Sequence, residues 1–471
     1  MKREKLEAAL NQISDKHITE AATAKKKHRL TWFGTLAAVL ALILLLRNVE
    51  IPIAIRAEAI SPAPESRVTQ RPDFDDYETR EQWNAAYDAW NVQRDARSKA
   101  SRLALAQASD FFRAGYLQFL TGENGNQLFS PINAYIGLAM AAELTAGDTH
   151  SQLLDTLGAP DIETLRSCVS ALWEEVYRDN GNEVSTLANA IWLDDTVAYR
   201  QSAMDDLAYH YYASVYRQDL SSKQAAKDIA AWLNNNTSGF LKKYTGDIVL
   251  PPEAVLALYS TIYFQSKWTD EFHAANNTVD VFHGLAGDTN CTYMNAKLWQ
   301  MHYYWGKSFG AVSLPLKNGS RMWFILPDEG KTTTEVLQEG EYWDLIHSPR
   351  EDWDNTKYMK VNLTVPKFDI STRTDLRSGL EEMGITDLFY LDKADFSASL
   401  NTPCYISAAN QAVRVAVDEQ GVTAAAYIEL PGAGAAPPPE EIIDFVLDRP
   451  FLFVITTGSN IPLFAGTVNQ P

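Results

Sequence analysis

The chain has few of the residues that usually build metal, disulfide or nucleotide sites. Of its 471 residues, three are cysteines (Cys168, Cys291 and Cys404) and eight are histidines. The cysteines are too scattered for a disulfide framework or a paired zinc motif, and the histidines show no ligand spacing. No HExxH string or complete Walker loop is present. We therefore predict no metal and no cofactor.

A single nucleophile-type string is present, at residues 306–310 (GKSFG), which match GxSxG. That motif requires a strand before it and a helix after it, whereas this string leads into the strand-like run AVSLPL. We interpret the match as chance and predict that the chain is not an enzyme.

Basic residues are also scarce, with 41 Lys and Arg against 60 Asp and Glu and a net charge of −19. This balance argues against general nucleic-acid binding. The charge is uneven, because residues 1–29 carry a surplus of four positive charges and leave −23 for the rest of the total of −19. Apolar residues make up 46% of the chain, which predicts a folded protein.

The one long apolar run, residues 30–46, contains 17 residues without a charge. As a helix it would be about 26 Å long, enough for a transmembrane anchor with snorkelling flanks. The basic leader 1–29 would then be cytoplasmic and the acidic bulk extracellular. The alternative is the h-region of a signal peptide and a secreted protein. Residues 47–99 are interpreted as a stalk or linker with a short helix, and residues 100–471 as one domain.

Within 100–471, helical periodicity fills the first half and apolar β-rich runs follow after about residue 255, an α+β pattern. An unusual segment, residues 419–440, lies between two such runs. Its first half alternates small and apolar side chains and could form a strand. Its second half is rich in proline and glycine, so we expect it to be extended and open to proteases. A plain flexible loop is the alternative.

Ordered motifs from about residue 100 to the end resemble the serpin (serine protease inhibitor) family. The segments that carry the resemblance are NQLFSP at 126–131 with Thr149, LANA at 187–190, Trp232 with Thr237 and Gly239, IYF at 262–264 with Trp268, LP at 314–315, ILP at 325–327, PKF at 366–368, GITDLF at 384–389, RPF at 449–451 and FAG at 464–466.

The resemblance implies a serpin fold with three β-sheets, about nine helices and an exposed reactive-centre loop. It also implies irreversible suicide inhibition of a serine protease. The protease would attack the loop to form an acyl-enzyme, and the loop would then insert as a strand into the main sheet, sheet A. The alternative is a non-inhibitory serpin of the chaperone or binding type, displayed at the cell surface.

The resemblance also assigns roles to individual residues. Glu419 should contact Lys367 near Trp268, at the end of sheet A called the breach. A polar cluster called the shutter departs from the family pattern and comprises Ser130, Asn133, Ser260 and Gln411. The hinge that starts insertion comprises Glu419, Gln420, Gly421, Val422, Thr423, Ala424, Ala425 and Ala426.

A count of 17 family positions from Glu419 places the reactive bond at Ala435–Ala436, with 432–436 as the range of uncertainty. A small side chain before that bond suits the shallow pocket of an elastase-like or subtilisin-like protease. We expect no heparin-type cofactor, because the region 158–180 has Arg166 and Arg178 among several acids and no basic stripe.

Overall fold

The computed structural model describes residues 54–69, 71–122, 125–179, 184–246, 248–347, 353–422 and 441–471. The predicted leader and anchor lie outside the described residues, as do the loop positions Thr423–Ala426 and the reactive bond Ala435–Ala436. Over the described ranges, no helix combines the length and the apolar character that crossing a bilayer requires.

Ten α-helices are formed by the described residues, and they are listed here in chain order: α1 (Arg80–Leu120), α2 (Pro131–Leu144), α3 (Gly147–Thr156), α4 (Ile162–Val176), α5 (Gln201–Tyr211), α6 (Lys223–Asn236), α7 (Lys242–Thr245), α8 (Thr333–Glu339), α9 (Glu341–His347) and α10 (Arg377–Glu382).

The strands of the same ranges are β1 (Glu58–Ser61), β2 (Gln127–Phe129), β3 (Arg178–Asp179), β4 (Val184–Leu193), β5 (Ala213–Arg217), β6 (Leu256–Lys267), β7 (Thr278–Gly284), β8 (Gly287–Trp305), β9 (Phe309–Pro315), β10 (Arg321–Pro327), β11 (Thr356–Pro366), β12 (Phe368–Asp375), β13 (Asn410–Val417), β14 (Gly421–Val422), β15 (Ile442–Val446), β16 (Phe451–Thr456) and β17 (Pro462–Val468).

Sheet A has eight strands in the order β1-β5-β4-β6-β14-β13-β12, with β3 paired to β4. Helix α6 covers one face of this sheet through a small apolar cluster that includes Trp192, Ile229 and Trp232. The other face packs on the main core. Helix α2 lies in that core and is buried on almost every side, because its sequence is apolar all round.

The other nine strands form one hydrogen-bonded sheet with two parts. We call the part made of β15, β11, β8 and β7 sheet C, and the part made of β9, β10, β16, β17 and β2 sheet B. The two parts are joined where the end of β8 pairs with β9, at Tyr304 with Ala311 and Trp305 with Gly310. Counted in this way, the fold has the three sheets that were expected.

The structure differs from the predicted stalk over residues 47–99. Strand β1 pairs antiparallel with β5 and so extends the edge of sheet A. An edge strand exposes unpaired backbone groups, and a neighbouring extended segment satisfies them. The described residues between 54 and 99 therefore contribute to the fold and belong to the same compact unit as the described residues that follow them.

The short helix predicted before residue 99 continues without a break into the predicted domain as a single helix, α1. It begins at a capping box, in which Thr79 accepts from the Gln82 backbone and the Gln82 side chain accepts from the Thr79 backbone. Neither proline nor glycine interrupts the sequence before Gly115. The predicted domain boundary at residue 100 consequently falls inside a continuous helix.

Candidate functional site

The predicted hinge begins with a tight turn after β13. The Oδ1 atom of Asp418 accepts hydrogen bonds from the backbone amides of Gln420, at 2.9 Å, and Gly421, at 3.2 Å. The Asp418 amide donates to the Gly421 carbonyl at 3.1 Å. This Asx-type turn reverses the chain, because an aspartate side chain can take the place of a backbone acceptor.

After the turn, Gly421 and Val422 form a two-residue strand, β14, inside sheet A. Gly421 lies opposite Lys267 and Val422 opposite Ser266 on β6, and Val422 also pairs with Val417 on β13. The Val422 side chain is 3% exposed and belongs to the main core. The hinge therefore begins as a strand between β6 and β13.

Glycine is required at position 421 because the backbone of β6 lies very close. A Cβ atom at this position would be 2.4 Å from the Ser266 carbonyl oxygen and 2.6 Å from the Lys267 Cα. Both neighbours are backbone atoms, so they cannot move aside as a flexible side chain can. Any larger residue would push β14 away from β6.

Beside this turn lies the breach, where the structure brings together all three predicted residues. Lys367 Nζ is 2.8 Å from one carboxylate oxygen of Glu419 and 3.0 Å from the other. Trp268, 1% exposed, donates its indole N–H to the Asp418 carbonyl at 2.9 Å. Asn277, which the sequence did not indicate, also donates to Glu419, at 2.5 Å.

Glu419 is held in its ionised form by these partners. Partial burial is the largest effect and by itself raises the pKa of the Glu419 carboxyl group. Hydrogen bonds from Lys367, from its own backbone amide and from Asn277, together with the Lys367 charge, outweigh burial and lower the pKa below its usual value. The contact therefore persists at neutral pH and weakens only in acid.

Below β14, strands β6 and β13 are separated. Both strands are fully described, and β14 is the strand that lies between them in the hydrogen-bonding order. A cleft of about 330 Å³ continues the gap, lined by β6 residues such as Ser260 and Ile262, β13 residues such as Gln411 and Val413, and α2 residues beneath. We call this gap the sheet A slot. Its position and direction are those of a strand that would extend β14.

The four predicted shutter residues meet across the slot. Gln411, on β13, donates from Nε2 to the Ser130 carbonyl and accepts at Oε1 from the Ser130 amide, each at 2.9 Å. Asn133, on α2, donates to the Ser260 carbonyl on β6 at 3.1 Å. The N-terminal end of α2 thus holds both walls of the slot through side-chain hydrogen bonds.

Phe240, which the sequence did not indicate, lies over the α6 side of the slot. Its ring centroid is 6.2 Å from that of Tyr263 on β6, edge to face. On the other wall, the Arg414 guanidinium lies 4.4 Å from the same ring and forms two hydrogen bonds with the Asp369 carboxylate, at 2.7 and 2.8 Å. Phe240 and Arg414 therefore link the two walls of the slot.

Comparison with known proteins identifies relatives of this chain. A family model described as "Serpin (serine protease inhibitor)" matches residues 107–471. The chain is 29% identical to alpha-1-antiproteinase S of Cavia porcellus, over 74% of this chain and 85% of the relative. It is also 29% identical to plasminogen activator inhibitor 1 of Sus scrofa, over 81% of this chain and 96% of the relative.

Solved structures give the same result for the fold. The chain superposes on the native state of tengpin, a thermophilic serpin, with a TM-score of 0.68 and 26% sequence identity. That match covers 78% of this chain and 93% of the tengpin chain.

Proposed function

The chain belongs to the serpin family, and on that premise we propose that it is an irreversible inhibitor of an elastase-like or subtilisin-like serine protease. It would trap the acyl-enzyme by inserting its reactive loop into sheet A. The observation that carries the proposal is the hinge strand β14, which already pairs with both walls of the slot.

The register of β14 supports insertion of the following residues. Because Gly421 lies opposite Lys267 in an antiparallel pair, an extended β14 would bring residue 432 opposite Leu256, the first residue of β6. This would add ten residues, or about 33 Å of strand at 3.3 Å per residue. The slot accordingly offers a partner for nearly the whole stretch between the hinge and the reactive bond.

The alternation of side chains also suits the slot. Val422 faces the core, so in the same strand Ala424, Ala426 and Ile428 would face the core too. These side chains are uncharged and can be buried without a hydrogen-bond partner. Tyr427 would point to the opposite face, towards the side of sheet A that carries α6, and so would not have to enter the main core.

The chemistry follows from an acyl-enzyme and a moving strand. The protease serine attacks the carbonyl of Ala435, the bond to Ala436 breaks, and the new amine leaves with the C-terminal part of the chain. Counted from Gly421, where β14 begins, to Ala435, the inserting strand has about 15 residues and is roughly 50 Å long at 3.3 Å per residue. Its insertion carries the esterified protease along sheet A. If the protease is displaced before water attacks the acyl-enzyme ester, the ester remains intact. The inhibitor therefore acts once and does not turn over.

The target class follows from the small side chain at position 435. Alanine gives a trypsin-like pocket no cation to bind, whereas a shallow pocket accepts it. Cleavage elsewhere is restricted, because Pro431 and Pro437 each follow a bond that serine proteases cut poorly. We propose on these grounds that the protease has a shallow, apolar specificity pocket.

The test is formation of an SDS-stable complex with pancreatic elastase and with subtilisin. We expect a covalent band whose mass is that of the protease plus the inhibitor less residues 436–471. Val422→Arg should be cleaved without forming the complex, because its cation would have to enter the core where Val422 is buried. Gln420→Arg is the matched control, since Gln420 is exposed on the same turn, and it should still form the complex.

Two outcomes would contradict the proposal. A complex with trypsin and none with either shallow-pocket protease would overturn the target class. Cleavage of the wild-type loop by every protease without any stable complex would favour the non-inhibitory alternative. In that case heating would show no gain in stability for the loop-cleaved protein over the intact one.

For location, we propose that residues 30–46 anchor the chain and display the inhibitor domain outside the cell. The support is the uncharged run itself and the basic leader before it. Extraction of cell membranes with alkaline carbonate tests this. An anchored chain stays with the lipid pellet, whereas release of a shortened chain into the medium would indicate a cleaved signal peptide and secretion.

A further inference from the structure

The outer face of sheet C carries a group of exposed large side chains beside the end of the reactive loop. Trp299 on β8 is 64% exposed, Tyr358 on β11 is 46% exposed and Ile442 on β15 is 60% exposed. Single exposed apolar residues are normal on a protein surface, but several on three neighbouring strands mark an interaction surface. The residues of this sheet C patch are Trp299, His302, Tyr358, Lys297, Lys360 and Ile442.

Trp299 lies on the outer face of sheet C beside a β-bulge. Its neighbour Leu298 pairs with the buried Val361, so regular alternation places Lys297 and Trp299 on the same outer face. Met359 pairs with Met301, so Trp299 and Gln300 both lie opposite Lys360, and this bulge leaves Gln300 exposed as well. Lys360 Nζ is 5.3 Å from the centroid of the Trp299 ring.

The neighbouring aromatic side chains are held in place before any partner binds. The Tyr358 hydroxyl donates to Gln300 Oε1 at 3.1 Å, and its ring centroid is 5.0 Å from that of His302. Tryptophan and tyrosine are the side chains that most often dominate binding energy at protein interfaces. Fixed side chains also lose less conformational entropy on binding.

The patch lies close to the predicted reactive bond along the chain. Strand β15 begins at Ile442, and Ile442 pairs with Lys360 on β11. Six residue steps lead from Ala436 to Ile442, and at 3.3–3.6 Å per residue they span at most about 22 Å. A protease interface of standard size covers about 800 Å² per partner and so reaches roughly 15 Å from its centre. The rim of a protease bound at that bond therefore lies near the edge of the patch.

The charge around the patch differs from that of the whole protein. Among the described residues of these strands, three lysines, Lys297, Lys357 and Lys360, and two acids, Glu441 and Asp444, lie beside the patch. Lys357 Nζ is 2.6 Å from Glu441, and Asp444 accepts from Asn362. Lys297 and Lys360 beside the exposed aromatic side chains, on a chain with a net charge of −19, favour an acidic partner.

We propose that the sheet C patch is a second docking surface for the target protease. It contacts an acidic and apolar surface that borders the part of the protease cleft occupied by residues after the reactive bond. Trp299 and Tyr358 supply the apolar contact, and Lys297 and Lys360 supply the charge. This inference rests on the proposed inhibitory function and adds to the loop a second determinant of which protease is trapped.

The experiment compares association rates across a panel of elastase-like and subtilisin-like serine proteases, with the full chain as inhibitor. Each variant is then measured with every panel member that forms a complex with the wild type, and the panel member that associates fastest with the wild type is the primary comparison. We expect Trp299→Ala to slow association at least tenfold, with less than a twofold change in the number of inhibitor molecules consumed per protease trapped. Val279→Ala is the matched control, because Val279 is a 72% exposed apolar residue on β7, at the far edge of sheet C.

A second variant tests the charge. In Lys297→Gln/Lys360→Gln the association rate should be lower at low salt and should depend less on salt than in the wild type. Equal rates for the wild type and Trp299→Ala with every protease that forms a complex would overturn the docking surface and leave the inhibitory function intact. Absence of any complex in the panel would overturn both. Equal salt dependence in the charge variant would contradict the acidic character of the partner.

Discussion

Replacing Gln411 by alanine tests the shutter most directly, because both of its side-chain hydrogen bonds go to one buried residue. Gln411 is 5% exposed and Ser130 is fully buried. The Ser130 amide donates its hydrogen bond to Gln411 Oε1, whereas the Ser130 carbonyl accepts both from Gln411 Nε2 and from the Ala134 amide, the latter at 3.2 Å. The substitution therefore leaves the amide without its acceptor and removes one of the two donors from the carbonyl.

The magnitude follows from those two losses. A buried amide without a partner costs about 1–3 kcal/mol, and loss of one of two hydrogen bonds to the carbonyl costs about 1 kcal/mol. We expect Gln411→Ala to lower the free energy of unfolding by about 2–4 kcal/mol. It should also shorten the time for which the protein stays inhibitory at 37 °C, because Gln411 holds β13, one wall of the slot, to the end of α2.

The measurement is urea denaturation of the loop-intact protein, followed by tryptophan fluorescence, together with residual inhibition after timed incubation. Asn410→Ala is the matched control, since Asn410 is the exposed neighbour on the same strand and should change stability by less than about 0.5 kcal/mol. The reasoning would be refuted if Gln411→Ala unfolded at the wild-type urea concentration, or if the control lost as much stability as the variant.

Two further predictions concern the hinge and the breach. Gly421→Ala should destabilise the native protein by about 1–3 kcal/mol, the usual cost of overpacking, and should raise the fraction of inhibitor consumed as plain substrate. Wild-type stoichiometry in this variant would show that β14 does not pack against β6 as described. Glu419 has a lowered pKa, so its contribution to stability is fully present above its unfolded pKa of about 4.3 and is lost as the pH falls through the folded value. The melting temperature of the wild type should therefore fall more steeply below about pH 4.3 than that of Glu419→Gln, and parallel curves from differential scanning calorimetry would contradict this.

The contact of Glu419 with Lys367 beside Trp268 could be anticipated from sequence motifs, and the structure contains it. The third partner, Asn277, could not, because nothing in the local sequence around Asn277 distinguishes it from other surface asparagines. The turn before the hinge did have a local signal. Asp418 stands three residues before Gly421, a spacing typical of an Asx turn that ends at a glycine.

In the region before residue 100, local sequence signals predict the helix start but not the strand. The Thr79–Gln82 capping box is a local signal that predicts a helix start at residue 80. Pairing of β1 with β5 has no such signal, since Glu58–Ser61 is short and of mixed polarity. Its strand conformation depends on an open sheet edge about 155 residues further along the chain. Because β1 has no local signal, the sequence predicts a stalk over this region and not an edge strand.

The sequence by itself determined the features that depend on the chemistry of neighbouring residues. These are the uncharged run 420–426 of the hinge, the alanines at the predicted reactive bond, the prolines that limit cleavage, and the separation of a basic leader from an acidic remainder. Tertiary structure alone decided that β6 and β13 stand apart around β14, that the start of α2 holds both walls, and that Trp299, Tyr358 and Ile442 share one exposed face of sheet C. Those features arise from the pairing register of strands far apart in the chain, and register is set by the whole packed core.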